Sequence, residues 1–247
     1  MTKGVILVDF DNVFYGHETS APYIKTQLED FVKACLEASP DVDRLLIRLY
    51  GGWKMNAQYT TQASKVLGII ETVKSEMFPR FPNSRRVDGD LELAVSQYNL
   101  EIEWENTMQE KRARHFLKCS NDIHRICHHK VDECPVQMVA KATRGHSVVC
   151  PIDGCQTIDV SQLVRMEQKM VDSMMTCDIL EYIHDNDCRA VVVVSDDCDL
   201  HPALALAGEK YAEAMNVNLM LMVQNKKKSE RFEQLLGAHH ILIRTLQ

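Results

Sequence analysis

Residues 189–202, RAVVVVSDDCDLHP, carry an unbroken apolar run straight into three carboxylates, Asp196, Asp197 and Asp199. A run of valines with no polar alternation reads as a strand buried on both faces, which is the habit of parallel sheets covered by helices. Open parallel sheets bind their ligands outside the carboxyl ends of the strands, so acids placed directly after such a run stand where a site is built. The start of the chain repeats the pattern, with VILV leading into Asp9, Asp11 and Asn12. A third acidic pair, Asp172 and Asp178, lies in EQKMVDSMMTCDIL at residues 167–180. Gathering that much carboxylate is costly unless a cation compensates it, which points to a divalent-metal site.

Around these anchors, GVILVD, DRLLIRLYGG, LELAVSQY, RAVVVVS, NLMLMVQ and HILIR read as strands. Helical patterning falls over residues 21–38, 56–76 with Asn56 as N-cap, 161–184, 202–215 and 230–236. Strands alternating with helices predict an α/β three-layer fold with a central, mainly parallel sheet. The alternation breaks in the middle of the chain. Residues 1–98 and 160–247 are therefore expected to form one domain, and residues 99–159 an inserted Cys/His-rich segment.

The 247 residues are 45% hydrophobic and 26% charged, ordinary values for a folded domain. A net charge of −7 argues against a generally basic nucleic-acid-binding surface, so a polynucleotide would need a local basic path. No apolar run approaches the roughly 18 residues needed to span a bilayer. The expectation is a cytoplasmic protein without a membrane partner.

Nine cysteines in such a chain are better read as thiols or metal ligands than as disulfides. Five of them fall between Cys119 and Cys155, together with His115, His124, His128, His129 and His146. In HSVVCPIDGCQTIDV a tight turn would set Cys150 opposite Cys155, as half of a tetrahedral zinc site does. Cys127 and Cys134 are the first choice for the other half, with His124, His128 and Cys119 as competitors. A structural Zn²⁺ would replace a core that a segment of this size can hardly build.

On a helix over residues 161–184, Lys169 and Asp172 share a face, whereas Asp178 lies well round it. Only one of the two aspartates should point at the site, and Asp172 is the choice because Lys169 beside it could hold a phosphate.

Three segments, VILVDFDNVFYG, EQKMVDSMMTCDIL and VVVVSDDCDLHPAL, resemble the signature segments of the NYN domains, a branch of the PIN-like metal-dependent ribonucleases. The first is an apolar strand ending in Asp with Asn three residues on, matched by Asp9 and Asn12. The second is Lys, then Val-Asp, then a further Asp, matched by Lys169, Val171, Asp172 and Asp178. The third, Ser-Gly-Asp-x-Asp-Phe-x-Pro, is matched by Ser195, Asp197, Asp199 and Pro202, with Asp196 in place of Gly and Leu200 in place of Phe. The Cys/His segment lies outside the resemblance.

The resemblance implies in-line hydrolysis of a phosphodiester by water, assisted by one or two Mg²⁺ or Mn²⁺ ions on carboxylate oxygens. It implies Asp9, Asp172 and Asp197 as ligands and Asp199 as a fourth ligand or orienter of water. Asn12 would hold substrate phosphate or a water ligand, and Ser195 would support the loop or contact phosphate. Asp11, Asp178 and Asp196 are second-tier, with capping or solvation as the ordinary alternative. RNA is the implied partner and DNA the alternative; PIN-like domains often dimerise, which leaves a homodimer open.

Cations that could offset repulsion of a polynucleotide are Arg44 and Arg48, Arg85 and Arg86, the run Lys111, Arg112 and Arg114, and Lys226, Lys227 and Lys228 with Arg231. Trp53 and Tyr59 could stack on a base, although aromatics there more often pack. Two rival functions remain. A haloacid-dehalogenase-type phosphatase would use Asp9 as nucleophile, since Asp9, Asp11 and Val13 fit its Asp-x-Asp-x-Val signature, but Lys169 precedes Ser195 in the wrong order for it. A catalytically idle module binding RNA or protein is the other.

Overall fold

A computed structural model describes residues 1–14, 20–78, 87–100, 102–112 and 164–246. Its strands, in chain order, are β1 (Lys3–Asp9), β2 (Arg44–Tyr50), β3 (Lys54–Met55), β4 (Gln58–Tyr59), β5 (Asp88–Leu93), β6 (Met108–Arg112), β7 (Val164–Gln168), β8 (Cys188–Val194), β9 (Asn218–Val223) and β10 (Ile241–Thr245). The helices that flank them are α1 (Phe10–Phe14), α2 (Ala21–Ala38), α3 (Thr61–Met77), α4 (Val171–His184), α5 (His201–Ala207) and α6 (Lys226–Leu236). Contacts divide the chain into two units, Met1–Thr107 with Met170–Gln247, and Met108–Lys169.

In the first unit six strands form one sheet in the order β10-β9-β8-β1-β2-β5, and every pair is parallel. Their side chains alternate between two cores. Ile6 and Val8 of β1, with Val192 and Val194 of β8, pack under α2 and α3. Val5 and Leu7, with Val191 and Val193, pack under α4, α5 and α6. Burial on both faces is why these strands are apolar throughout, and each such side chain contributes about 1.5–3 kcal/mol.

The chain leaves β1 towards β2 and β5, then crosses to β8 and continues outward to β9 and β10. The order therefore reverses between β1 and β8, and the crevice at the carboxyl ends of that pair is the switch point where such sheets bind ligands.

Several element boundaries differ from the sequence reading. Asn56 caps no helix: Asn56 and Ala57 take positive φ in the turn between β3 and β4, and Thr60, whose side chain accepts from the Ala63 N–H, starts α3 instead. The strand read as LELAVSQY begins earlier, at Asp88, and ends at Leu93. The helix read over 161–184 is shorter at its front. Val164–Gln168 pair with Met108–Arg112 as an antiparallel strand, and Met170 takes a left-handed conformation (φ 65°) before the helix begins at Val171. A pairing partner more than fifty residues away overrode a periodicity read within one window. Helix α5 passes through a π turn (Gly208–Ala212) into Glu213–Met215. Gly208 is required there, because a Cβ would lie 1.9 Å from the His239 carbonyl oxygen.

The described part of the second unit is the antiparallel pair β6 and β7 with Lys169 after it, and Lys111 and Lys169 both pair with Glu167 at 3.2 Å. Lys169 thus precedes α4 and shares no helix face with Asp172. The zinc candidates Cys119, His124, Cys127, His128, Cys134, Cys150 and Cys155, and the cations Arg85, Arg86 and Arg114, lie outside the described residues.

Candidate metal centre

Asp9 ends β1 on the face that carries Val5 and Leu7, so it points towards α4. It is buried, and its oxygens are fixed by the chain that follows. The Asn12 N–H donates to Oδ1 at 3.3 Å, in the manner of a helix N-cap for α1, and Asn12 Nδ2 donates to Oδ2 at 2.6 Å. Ser195, the first residue after β8 and 1% exposed, donates from Oγ to the same Oδ2 at 2.9 Å. Ser195 Oγ also accepts the Asp197 N–H at 3.0 Å, and Asp197 Oδ1 accepts the Asp199 N–H at 2.9 Å. One hydroxyl therefore sets the spacing between the carboxylate of β1 and the loop that follows β8.

Asp172 enters from a third element, the first turn of α4. Carboxylate oxygens of Asp9, Asp172 and Asp197 lie within 4.8 Å of one another, and Asp197 and Asp199 form a second such group with the Cys198 thiol. Among the described residues no lysine or arginine forms an ion pair with Asp9, Asp172, Asp197 or Asp199.

The electrostatics follow from that arrangement. Burial raises the pKa of Asp9, against the hydrogen bonds from Asn12 and Ser195, and Asp197 raises it further. Burial also raises Asp172, helped by the charges of Asp197, Asp9 and Asp199. Mutual repulsion at this spacing is relieved by a shared cation. Hard oxygen donors and no competing ammonium are what a divalent ion requires. Oxygens bound to one Mg²⁺ at about 2.1 Å stand about 3 to 4.2 Å apart, a spacing compatible with carboxylate oxygens that lie within 4.8 Å of one another.

The remaining sequence candidates fall elsewhere. Asp178 is buried and turned away from the cluster, bound by Arg48, Tyr50 and the Tyr98 N–H. Asp196 accepts the Gln224 N–H at 2.8 Å and pairs with Lys228 at 3.4 Å, tying the β8 loop to the end of β9. Asp11 accepts from Gln62 at 2.8 Å. Lys226 and Lys227 are exposed in the first turn of α6, at the same sheet edge as the acidic cluster. Arg48, expected to face a polynucleotide, is instead 3% exposed. Trp53 is fully buried against Phe10 and donates to the Leu49 carbonyl at 2.6 Å, so it packs rather than stacks on a base.

Sequence reasoning passed over Tyr50 and the partnership of Arg48 with Asp178. The available signal was a guanidinium at an interior position of RLLIRLY, since a buried cation demands a buried acid.

No helix among the described residues is long and apolar enough to cross a membrane. The chain matches no curated protein and no solved structure. The sequence profile of the NYN domain matches residues 146–237, a stretch that holds Asp172, Asp178, Ser195, Asp197 and Asp199. Residues 146–237 thus match an NYN domain, and the six-stranded parallel sheet with helices on both faces is the α/β fold of that PIN-like class.

Proposed function

We propose that the protein is a metal-dependent endoribonuclease whose site is formed by Asp9, Asp172, Asp197 and Asp199. The observation that carries this reading is the convergence of three carboxylates, from β1, α4 and the loop after β8, without a compensating cation among the described residues. NYN domains belong to a nuclease family, which supports a hydrolase acting on phosphodiester bonds.

Asp9, Asp172 and Asp197 would hold Mg²⁺ or Mn²⁺, with Asp199 as a further ligand or as acceptor for the attacking water. The bound ion supplies charge stabilisation at the phosphate and a more acidic water. Asp199 is exposed beside this cluster, where it can accept a proton from water. Asn12 orients Asp9 through two hydrogen bonds, which oppose the rise of its pKa. Both Asp9 oxygens are engaged in this way, which suits a fixed ligand better than an attacking nucleophile. Lys226 and Lys227 lie at the sheet edge shared with the acids and would draw the phosphate backbone towards it, offsetting the repulsion of an acidic site.

The reading is tested by incubating the purified protein with end-labelled single-stranded RNA and DNA in Mg²⁺, Mn²⁺ or chelator. Internal cleavage of RNA that requires metal and is lost in Asp197→Asn is the expected result. Absence of cleavage of either polymer with every cation would leave the chain as a binding module.

A further inference from the structure

Helix α4 delivers Asp172 to the cluster from its first turn, yet little in that turn fixes where the helix sits. Its buried apolar residues there are Val171, Met174 and Met175. Methionine side chains are flexible and tolerate sliding, so apolar packing alone sets the axial position and rotation of the helix loosely. The first directional contacts are made six residues on, about 9 Å further along the axis and about 240° around it, by Asp178; the far end of the helix is held separately at its C-cap, where Asp185 accepts from Tyr98 at 2.8 Å and pairs with Lys3 at 3.2 Å.

Asp178 is fully buried, and both its oxygens are occupied. Oδ1 accepts the Tyr98 N–H at 2.9 Å. Oδ2 accepts from Arg48 Nη1 at 2.5 Å and from the Tyr50 hydroxyl. Arg48 is held in turn by the Ser96 carbonyl at 2.6 Å and by Glu92 at 2.7 Å. Tyr50 is the register partner of Asp9 across the β1–β2 pair. A short chain of links thus runs from Asp9 through Tyr50 and Asp178 to Asp172.

We propose that Arg48, Tyr50 and Asp178 are positioning residues that latch α4 in the one register that sets Asp172 against Asp9 and Asp197. This rests on the metal-site reading above and adds a separate role for the second aspartate of the segment. Fixing register is the best attested use of a buried ion pair, whose net contribution to stability is small. Burial drives the Asp178 pKa up, while Arg48, Tyr50 and the Tyr98 N–H oppose that rise.

Two variants test the latch: the apolar double replacement Arg48→Met with Asp178→Leu, which leaves no buried charge unpaired because Glu92 is half-exposed, and Tyr50→Phe, which removes one O–H. Amide hydrogen exchange and Mn²⁺ affinity by calorimetry are measured on the full chain. The latch predicts that the double variant stays folded, that amides of Met174 and Met175 exchange at least tenfold faster while those of β1 and β8 keep their protection, and that Mn²⁺ affinity falls at least tenfold. Tyr50→Phe should show the same local pattern with a few-fold effect. A folded double variant with parental Mn²⁺ affinity overturns the proposal, as does exchange that quickens uniformly across β1, β8 and α4. Should the double variant fail to fold, parental exchange and affinity in Tyr50→Phe overturn it. If the parent protein itself takes up no Mn²⁺, the metal reading fails, and exchange at α4 alone decides the latch.

Discussion

The Ser195 hydroxyl donates to Asp9 Oδ2 at 2.9 Å, joining two strand ends that are 186 residues apart in the chain. Ser195 Oγ also accepts the Asp197 N–H, so a single buried side chain spaces two of the three convergent carboxylates. Ser195→Ala removes the donor and leaves that N–H without its partner. The expected cost is about 1–3 kcal/mol of stability. Mn²⁺ affinity should fall about tenfold, whereas Ser195→Thr, which restores the hydroxyl, should recover most of it; calorimetry on both variants checks this.

Asp172 is held at a raised pKa by burial and by three neighbouring acids, so in the metal-free protein its charge opposes folding. The sign is fixed by the direction of the shift. A carboxyl whose folded pKa is raised contributes stability below its ordinary value of 3.8 and loses it as pH rises through the folded value. Asp172 is solvent-exposed, which screens the repulsion, so Asp172→Asn should raise the metal-free melting temperature only slightly at pH 7 and change it little near pH 4. Thermal melts of both proteins across that range, without metal, measure the difference; a variant less stable than the parent at pH 7 would contradict the repulsion argument.

Asp196 and Asp197 are adjacent but do different work. Asp196 secures the end of β9 through the Gln224 N–H and Lys228. Asp196→Ala should cost about 1 kcal/mol in stability and leave Mn²⁺ affinity within about twofold of the parent. Asp197→Ala should abolish Mn²⁺ binding. Equal losses of metal in the two variants would place Asp196 among the ligands.

Lys226 and Lys227 sit in the first turn of α6, where positive charge is disfavoured by the helix dipole. Removing them should therefore not destabilise the helix. Lys226→Ala with Lys227→Ala is expected to weaken RNA binding and to lower the salt dependence of that binding by about one to two contacts, with Mn²⁺ affinity unchanged. Filter binding over a salt series reads both quantities.

The strands were legible because burial on both faces leaves runs such as VVVV with few other readings, and strands spaced by helices fix a parallel sheet. Strand ends were legible for the same reason, and Asp9 and Asp197 lie at them. The front of α4 was not, because the strand Val164–Gln168 is made by a partner distant in sequence, Met108–Arg112. Helical spacing separated Asp172 from Asp178 but not their surroundings. That Asp178 meets Arg48 and Tyr50 depends on how deep α4 sits on the sheet, a packing relation that no single window of sequence records. Asp196 was ambiguous for a related reason: its partner Gln224 directly follows the next strand, 28 residues on.

The central claim is that carboxylates from β1, α4 and the β8 loop share one divalent ion. Calorimetric titration of the chelator-treated protein with Mn²⁺, compared with Asp172→Asn and Asp197→Asn, tests it most directly. The account predicts saturable uptake by the parent and at least tenfold weaker uptake by either variant, with folding retained. Parental uptake in both folded variants, or no uptake by the parent, would contradict it.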